Sequence, residues 1–195
     1  MKKLLLVSLL CLAIAPVALA QPWILDPPGK PLKLYSSNSN DGYSASRGVV
    51  FTAQSAFTMT SFGYYNNVGN GGLAGVELWE GVNLNGNTGG TMVASGSANV
   101  SGPLAWYDVA MNYNLKANTN YEALFRYTYA SAENYFYDYD PVLFGDPPFT
   151  VGPVKVVDGT QGRNTSNFVM PRFRIIPEPS SLALVGLATL LLRRR

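Results

Sequence analysis

The sequence predicts an all-β protein, an antiparallel sandwich of jelly-roll type, held between two short apolar ends. Three observations lead there. First, all 12 Tyr, all 9 Phe and all 3 Trp fall between residues 21 and 176, in short runs separated by Gly, Asn, Pro and Ser, the punctuation of strands and turns. Second, where alternation is legible its period is two: Tyr107, Val109 and Met111 against Trp106, Asp108 and Ala110, and Val169, Phe173 and Ile175 against Arg172 and Arg174. Third, no long window of this body keeps a helical period. Many short strands at close spacing with turn signals between them are the pattern of a sandwich.

The elements follow in order. Residues 21–31 carry four prolines and read as an extended Pro-rich lead-in. Strands are expected at 32–36, 48–53, 57–65, 75–80, 91–97, 106–111, 121–129, 135–139, 154–157 and 168–175, which places one β-sandwich domain at 32–176. The Gly-Asn stretches Asn66–Gly75 and Asn83–Gly90 are expected to be turns or hairpin loops, because glycine supplies the positive φ that tight turns need.

Composition narrows the function. The chain has 195 residues, room for one domain. Its formal charge is +2, but Lys2, Lys3, Arg193, Arg194 and Arg195 lie in the ends, and the body alone carries nine basic against eleven acidic residues. A nucleic-acid partner is therefore not expected. There is no histidine, and the single cysteine, Cys11, lies in the first apolar segment. That excludes from the body Ser-His-Asp and Cys-His nucleophilic sites, His- or thiolate-bound zinc, and disulfides.

Residues 1–20 begin with Lys2 and Lys3, continue as an apolar run that Pro16 breaks, and end Ala18-Leu19-Ala20. This is the layout of a secretory signal peptide, with small residues Ala18 and Ala20 where signal peptidase requires them and cleavage expected after Ala20. Cys11 does not fit a lipoprotein site, since Leu10 precedes it where a small residue is wanted.

The other end reads Pro177-Glu178-Pro179, then a run containing Leu182, Leu184, Val185, Leu187, Leu190, Leu191 and Leu192, then Arg193-Arg194-Arg195. A helix apolar on every side has no face to show water. From Ser180 to Leu192 it would span only roughly 20 Å, short of the ~30 Å hydrocarbon core, so a marginal and temporary anchor is expected. Its arginines, like Lys2 and Lys3, would remain cytoplasmic and leave the body across the inner membrane. These residues resemble the PEP-CTERM sorting signal of Gram-negative bacteria, over residues 177–195. The resemblance implies handling by an exosortase, a membrane enzyme that cleaves near the motif, and delivery to the cell surface or to an extracellular polysaccharide and biofilm matrix. Gly186 and Thr189 interrupt the apolar run, a departure from common members.

A second resemblance covers about 80 residues. Gly75-Val76-Glu77-Leu78-Trp79-Glu80-Gly81, Met92-Val93-Ala94-Ser95, Trp106-Tyr107-Asp108-Val109 and Leu115-Lys116-Ala117-Asn118-Thr119-Asn120-Tyr121 together look like an uncharacterised β-sandwich module of secreted, often carbohydrate-associated, bacterial proteins. It implies a fold more than an activity.

Few residues invite chemistry. The stretch Asn134-Tyr135-Phe136-Tyr137-Asp138-Tyr139-Asp140 combines rings that stack on sugars with carboxylates that accept from hydroxyls, so Tyr135, Tyr137, Asp138 and Tyr139 are candidate glycan contacts; a half-buried tyrosine ladder is the plainer reading. Asp138, Asp140 and Asp146 are weak calcium candidates, lacking EF-hand spacing. Glu77 and Glu80 are a carboxylate pair, but three apart on a strand they face opposite sides and cannot flank one glycosidic bond. No phosphate loop, dinucleotide fingerprint or hydrolase elbow is present. The expectation is a non-enzymatic, cofactor-free surface or matrix protein, processed by signal peptidase and exosortase. A carbohydrate-binding module that retains exopolysaccharide through exposed aromatics is the alternative, and a carboxylate-based hydrolase is a third reading.

Overall fold

The computed structural model describes residues 21–25, 35–38, 47–84, 89–128, 134–138, 148–161, 163–166, 170–171 and 173–178. Among them every regular element is a strand: β1 (Trp23–Ile24), β2 (Tyr35–Asn38), β3 (Arg47–Ala53), β4 (Phe57–Glu80), β5 (Thr91–Leu115), β6 (Thr119–Thr128), β7 (Asn134–Asp138), β8 (Phe149–Val151), β9 (Val154–Gln161), β10 (Asn164–Ser166), β11 (Met170–Pro171) and β12 (Phe173–Pro177). All pairings are antiparallel, and residues 22–178 form one compact unit. Residues 1–20, expected to be a signal peptide, and the apolar C-terminal run with its arginines lie outside the described residues. So do Tyr139, Asp140, Asp146 and Pro179.

The body is all-β with two antiparallel sheets, in keeping with a β-sandwich. Two long strands join them. The first half of β4 pairs with β12 and with the second half of β5, and β12 pairs with β1. The second half of β4 pairs with β6 and with the first half of β5, and β6 continues through β3 to β9. Register shifts at Asn66/Val68 and Val68/Gly72 mark the crossing; bulges of this kind bend a strand and increase its twist, which lets one strand serve two layers.

This corrects the expectation for Asn66–Gly75. The stretch is strand, and the positive-φ glycines among the described residues are Gly81, Gly89, Gly90, Gly102 and Gly152. Its small residues suit a corner where β4 turns between sheets; β5 pairs along one side, and the other side is taken by β7 at Asn66 and Asn67 and by β6 from Leu73. Ladder pairing overrode turn-like composition. Likewise the separate strands expected at 91–97 and 106–111 are the two halves of β5. β1 falls within the Pro-rich lead-in, where Leu25 donates its N–H to the Phe173 carbonyl at 2.9 Å and is buried.

The core lies between the layers. Val49 and Phe51 of β3, Met59, Phe62 and Tyr64 of β4, Val109 and Met111 of β5, and Phe173 and Ile175 of β12 are buried there. Each fully buried side chain of this size contributes about 1.5–3 kcal/mol. Phe125 of β6 joins the layers, stacking on Tyr64 at 5.4 Å and meeting Phe173 edge-on at 5.3 Å. At Gly96 they come close: a Cβ there would overlap the Ala110 carbonyl oxygen of the same strand's other half.

One polar cluster closes the end of this core. Glu80 accepts from the Tyr113 hydroxyl at 2.6 Å, the Tyr121 hydroxyl at 3.0 Å and Lys116 Nζ at 2.6 Å. The Tyr121 oxygen accepts the Lys116 N–H at 2.8 Å. That bond is a tyrosine-corner arrangement, in which a ring returns to the backbone just upstream, and it accounts physically for the Leu115…Thr119…Tyr121 spacing.

Candidate functional site

The outward faces of the two layers carry the same trio of side chains, a tryptophan, an arginine and a carboxylate, in different settings. On the layer of β12, β4 and β5, strand alternation turns Phe62, Tyr64, Val109, Phe173 and Ile175 inward and leaves Tyr65, Trp106, Asp108 and Arg174 outward. Register aligns them. Tyr65 is opposite Trp106, and one row further Arg174 is opposite Gly63, which is opposite Asp108. Arg174 reaches across β4 to Asp108 in a two-pronged pair, Nε donating to Oδ1 at 2.7 Å and Nη2 to Oδ2, the geometry that a planar guanidinium and a carboxylate favour. Glycine at 63 is what permits this, because a Cβ would collide with both the Asp108 carboxylate and the Arg174 stem. The Arg174 guanidinium also lies 4.7 Å from the Trp106 ring, and Tyr65 sits 5.3 Å from the same ring. The result is an aromatic row beside a polar row, with Asp108 keeping 31% of its side chain in water.

On the layer of β9, β3, β6 and β4, the corresponding carboxylate is Glu122, opposite Val50 on one side and Trp79 on the other. Its exposure is 0%. Thr160 donates to Oε1 at 2.7 Å and Arg163 Nε to Oε2 at 3.2 Å. The Arg163 guanidinium stacks 3.3 Å from the Trp79 ring centroid and donates through Nη2 to the Gly89 carbonyl. Arg163 takes φ 64° in the turn between β9 and β10, a conformation that a non-glycine residue adopts at a cost. A buried carboxylate needs a cation and hydrogen bonds together, and these contacts supply both. Asp158, opposite Val50 on the β9 side, is pushed up in pKa by burial against the opposing pull of the Gly159 N–H.

The residues singled out from sequence fall in several places. Glu77 and Glu80 do lie on opposite faces: Glu77 accepts from Trp79 Nε1 at 3.0 Å on the outside, and Glu80 closes the core. Tyr135, Tyr137 and Asp138 lie in β7, where Tyr137 is opposite Tyr35 and Pro171, Tyr135 is opposite Asn66, and Asp138 is opposite Met170. Asp140 and Asp146, the other calcium candidates, lie outside the described residues, and among those described no group of three or more acidic, histidine or cysteine residues is arranged to hold a metal. Pro177 is buried as the last residue of β12, and exposed Glu178 donates its N–H to the Thr58 carbonyl at 2.9 Å.

The alternation in sequence put Trp106 and Asp108 on one face of their strand and Arg174 on one face of its own, but did not join them. Asp108 and Arg174 are 66 residues apart, and only the register over Gly63 brings them together. Compared with known proteins, the chain matches no family model and no curated sequence, so what the outer faces can do follows from their geometry.

Proposed function

We propose that the protein is an exported, non-enzymatic component of the cell surface or extracellular matrix of a Gram-negative bacterium. Its jelly-roll-like body is delivered by two removable ends, an N-terminal signal helix and a short C-terminal hydrophobic helix. In this reading signal peptidase cuts after Ala20, and the run ending in Arg193-Arg194-Arg195 holds the chain briefly in the inner membrane. An exosortase then acts near Pro177-Glu178-Pro179, leaving a structural or adhesive protein in exopolysaccharide or biofilm.

The observation that supports this most directly is where the body's sheet ends. β12 pairs with β4 up to Pro177, and the Glu178 N–H to Thr58 bond follows it. Pro177 and Glu178 of the tripeptide thus close the last described strand. A cut beyond Pro179 would spare every described strand, whereas a cut before Phe173 would remove β12 with buried Phe173 and Ile175.

Mass spectrometry of the protein from cells and medium tests the reading. The expected product begins at Gln21 and lacks Arg193 to Arg195. An unprocessed chain in the cytosol, with its arginine end intact, would overturn it. The second reading, carbohydrate binding through aromatics, is favoured by the Tyr65–Trp106 row beside the Asp108–Arg174 pair.

A further inference from the structure

We infer that the outward patch of Tyr65, Trp106, Asp108 and Arg174 is a binding surface for an internal stretch of a neutral polysaccharide. The inference deepens the carbohydrate-binding reading and rests on it. It is independent of how the chain is sorted.

Three features of the patch specify the ligand. Its relief is low: Gly63 leaves no side chain between Asp108 and Arg174, and the next row out is Ser61, Ala110 and Ile176. A low surface of this kind suits the middle of a chain rather than a chain end. The aromatic row offers partly exposed rings for the apolar faces of pyranose units. The polar row then selects hydroxyls. Arg174 uses Nε and one Nη2 hydrogen on Asp108, leaving its remaining N–H groups as donors, while the Asp108 oxygens retain lone pairs as acceptors. Donors and acceptors side by side match hydroxyl groups, which both donate and accept. A uronate or phosphate would need donors alone and would meet the Asp108 carboxylate, so the charge-balanced pair disfavours an acidic chain.

The other layer sharpens the assignment. There the carboxylate is closed off: Glu122 has no exposed surface and Arg163 is tied to Gly89. The Asp108–Arg174 pair is joined across its strand yet still meets water. β7 extends the sheet from the patch, because Tyr135 is opposite Asn66, the residue after Tyr65. That brings the backbone of the Tyr135–Asp138 stretch alongside.

The test is affinity electrophoresis of the full chain in a polyoxyethylene detergent, since glycoside detergents would compete. The gels contain barley β-glucan, galactomannan or alginate. Retardation is expected in at least one neutral gel and not in alginate. Asp108→Asn, which preserves shape, and Trp106→Ala should each weaken retention about tenfold or more, the loss of one good contact. Met92→Ala, exposed on the other layer, should leave retention unchanged. Thermal melts accompany each variant, and Tyr65→Ala replaces Trp106→Ala if that variant does not fold. No retardation in either neutral gel would overturn the carbohydrate-binding reading and the inference together. Retardation that survives Asp108→Asn and the folded aromatic variant would overturn this patch while leaving carbohydrate binding standing elsewhere. Retention in alginate above that in both neutral gels would overturn the ligand class.

Discussion

Two trios of tryptophan, arginine and carboxylate, one on each outer face, differ chiefly in what surrounds the acid. Glu122 has 0% exposure and Asp108 31%, although their arginine partners are similarly exposed, Arg163 at 22% and Arg174 at 18%. The difference comes from the flanking backbone. The turn carrying Arg163 and the segment at Gly89 close over β6, with Val50 and Leu124 buried alongside Glu122. Among the described residues, Gly63 is what lies between Asp108 and Arg174 over β4. The same side-chain types thus stand in different settings: a sealed carboxylate commits its cation to neutralising it, whereas the open pair keeps polar atoms in water.

The largest expected effect tests the sealed trio. Arg163→Ala strips Glu122 of its cation inside the fold and should cost about 3–5 kcal/mol in urea unfolding. A cost under about 1 kcal/mol would mean that Glu122 reaches water and that the contrast is false. Gly96→Ala comes next. The obstacle there is the Ala110 carbonyl, which is backbone, so the layers must part, at about 2–3 kcal/mol in the same assay.

The Glu80 cluster, part-buried between the layers, supplies a pH-dependent intermediate case. Hydrogen bonds from Lys116 first and Tyr113 second hold the Glu80 carboxyl below its ordinary value, against the effect of burial. Its contribution is therefore present above the usual carboxylate range and lost as pH falls through the lowered pKa. Burial, assisted by Glu80, raises Tyr113, and burial raises Tyr121 to about 12. Their contribution is present below the ordinary tyrosine pKa of about 10 and lost as pH rises toward about 12. Melting temperature against pH should fall on both limbs, and Glu80→Gln should flatten both. An unchanged profile would remove the cluster from the account.

Gly63→Ala should cost about 1 kcal/mol, the low end for overpacking, because the atoms that must move are the ends of Asp108 and Arg174. The ion pair should break, visible as loss of the Arg174 Nε shift in NMR. The smallest effect is Asp108→Asn, under about 1 kcal/mol in stability. If it equals Arg163→Ala, the two trios are energetically alike and the open one is structural.

Much of this body was legible in its residues. The alternation at 106–111 put Tyr107, Val109 and Met111 on one face and Trp106, Asp108 and Ala110 on the other, and the structure turns Val109 and Met111 into the core. The same holds for Phe173 and Ile175 against Arg174. Two features were not legible. Asn66–Gly75 has turn composition, and pairing with β5, with β7 at Asn66 and Asn67 and with β6 from Leu73 keeps it a strand. Glu122 lies in a run, Tyr121 to Phe125, buried on both faces. Leu124, on the same side two residues away, was the available hint that this outer face is covered, but a lone charge in a strand ordinarily points to water.

The chain by itself determined the strand periodicity, the absence of histidine and cysteine chemistry from its body, and the two apolar ends, because each is a property of local order or composition. Tertiary structure decided which carboxylate meets which arginine, which glycine must stay bare, and which trio is closed. Those depend on the register between strands many residues apart, and no local pattern encodes it.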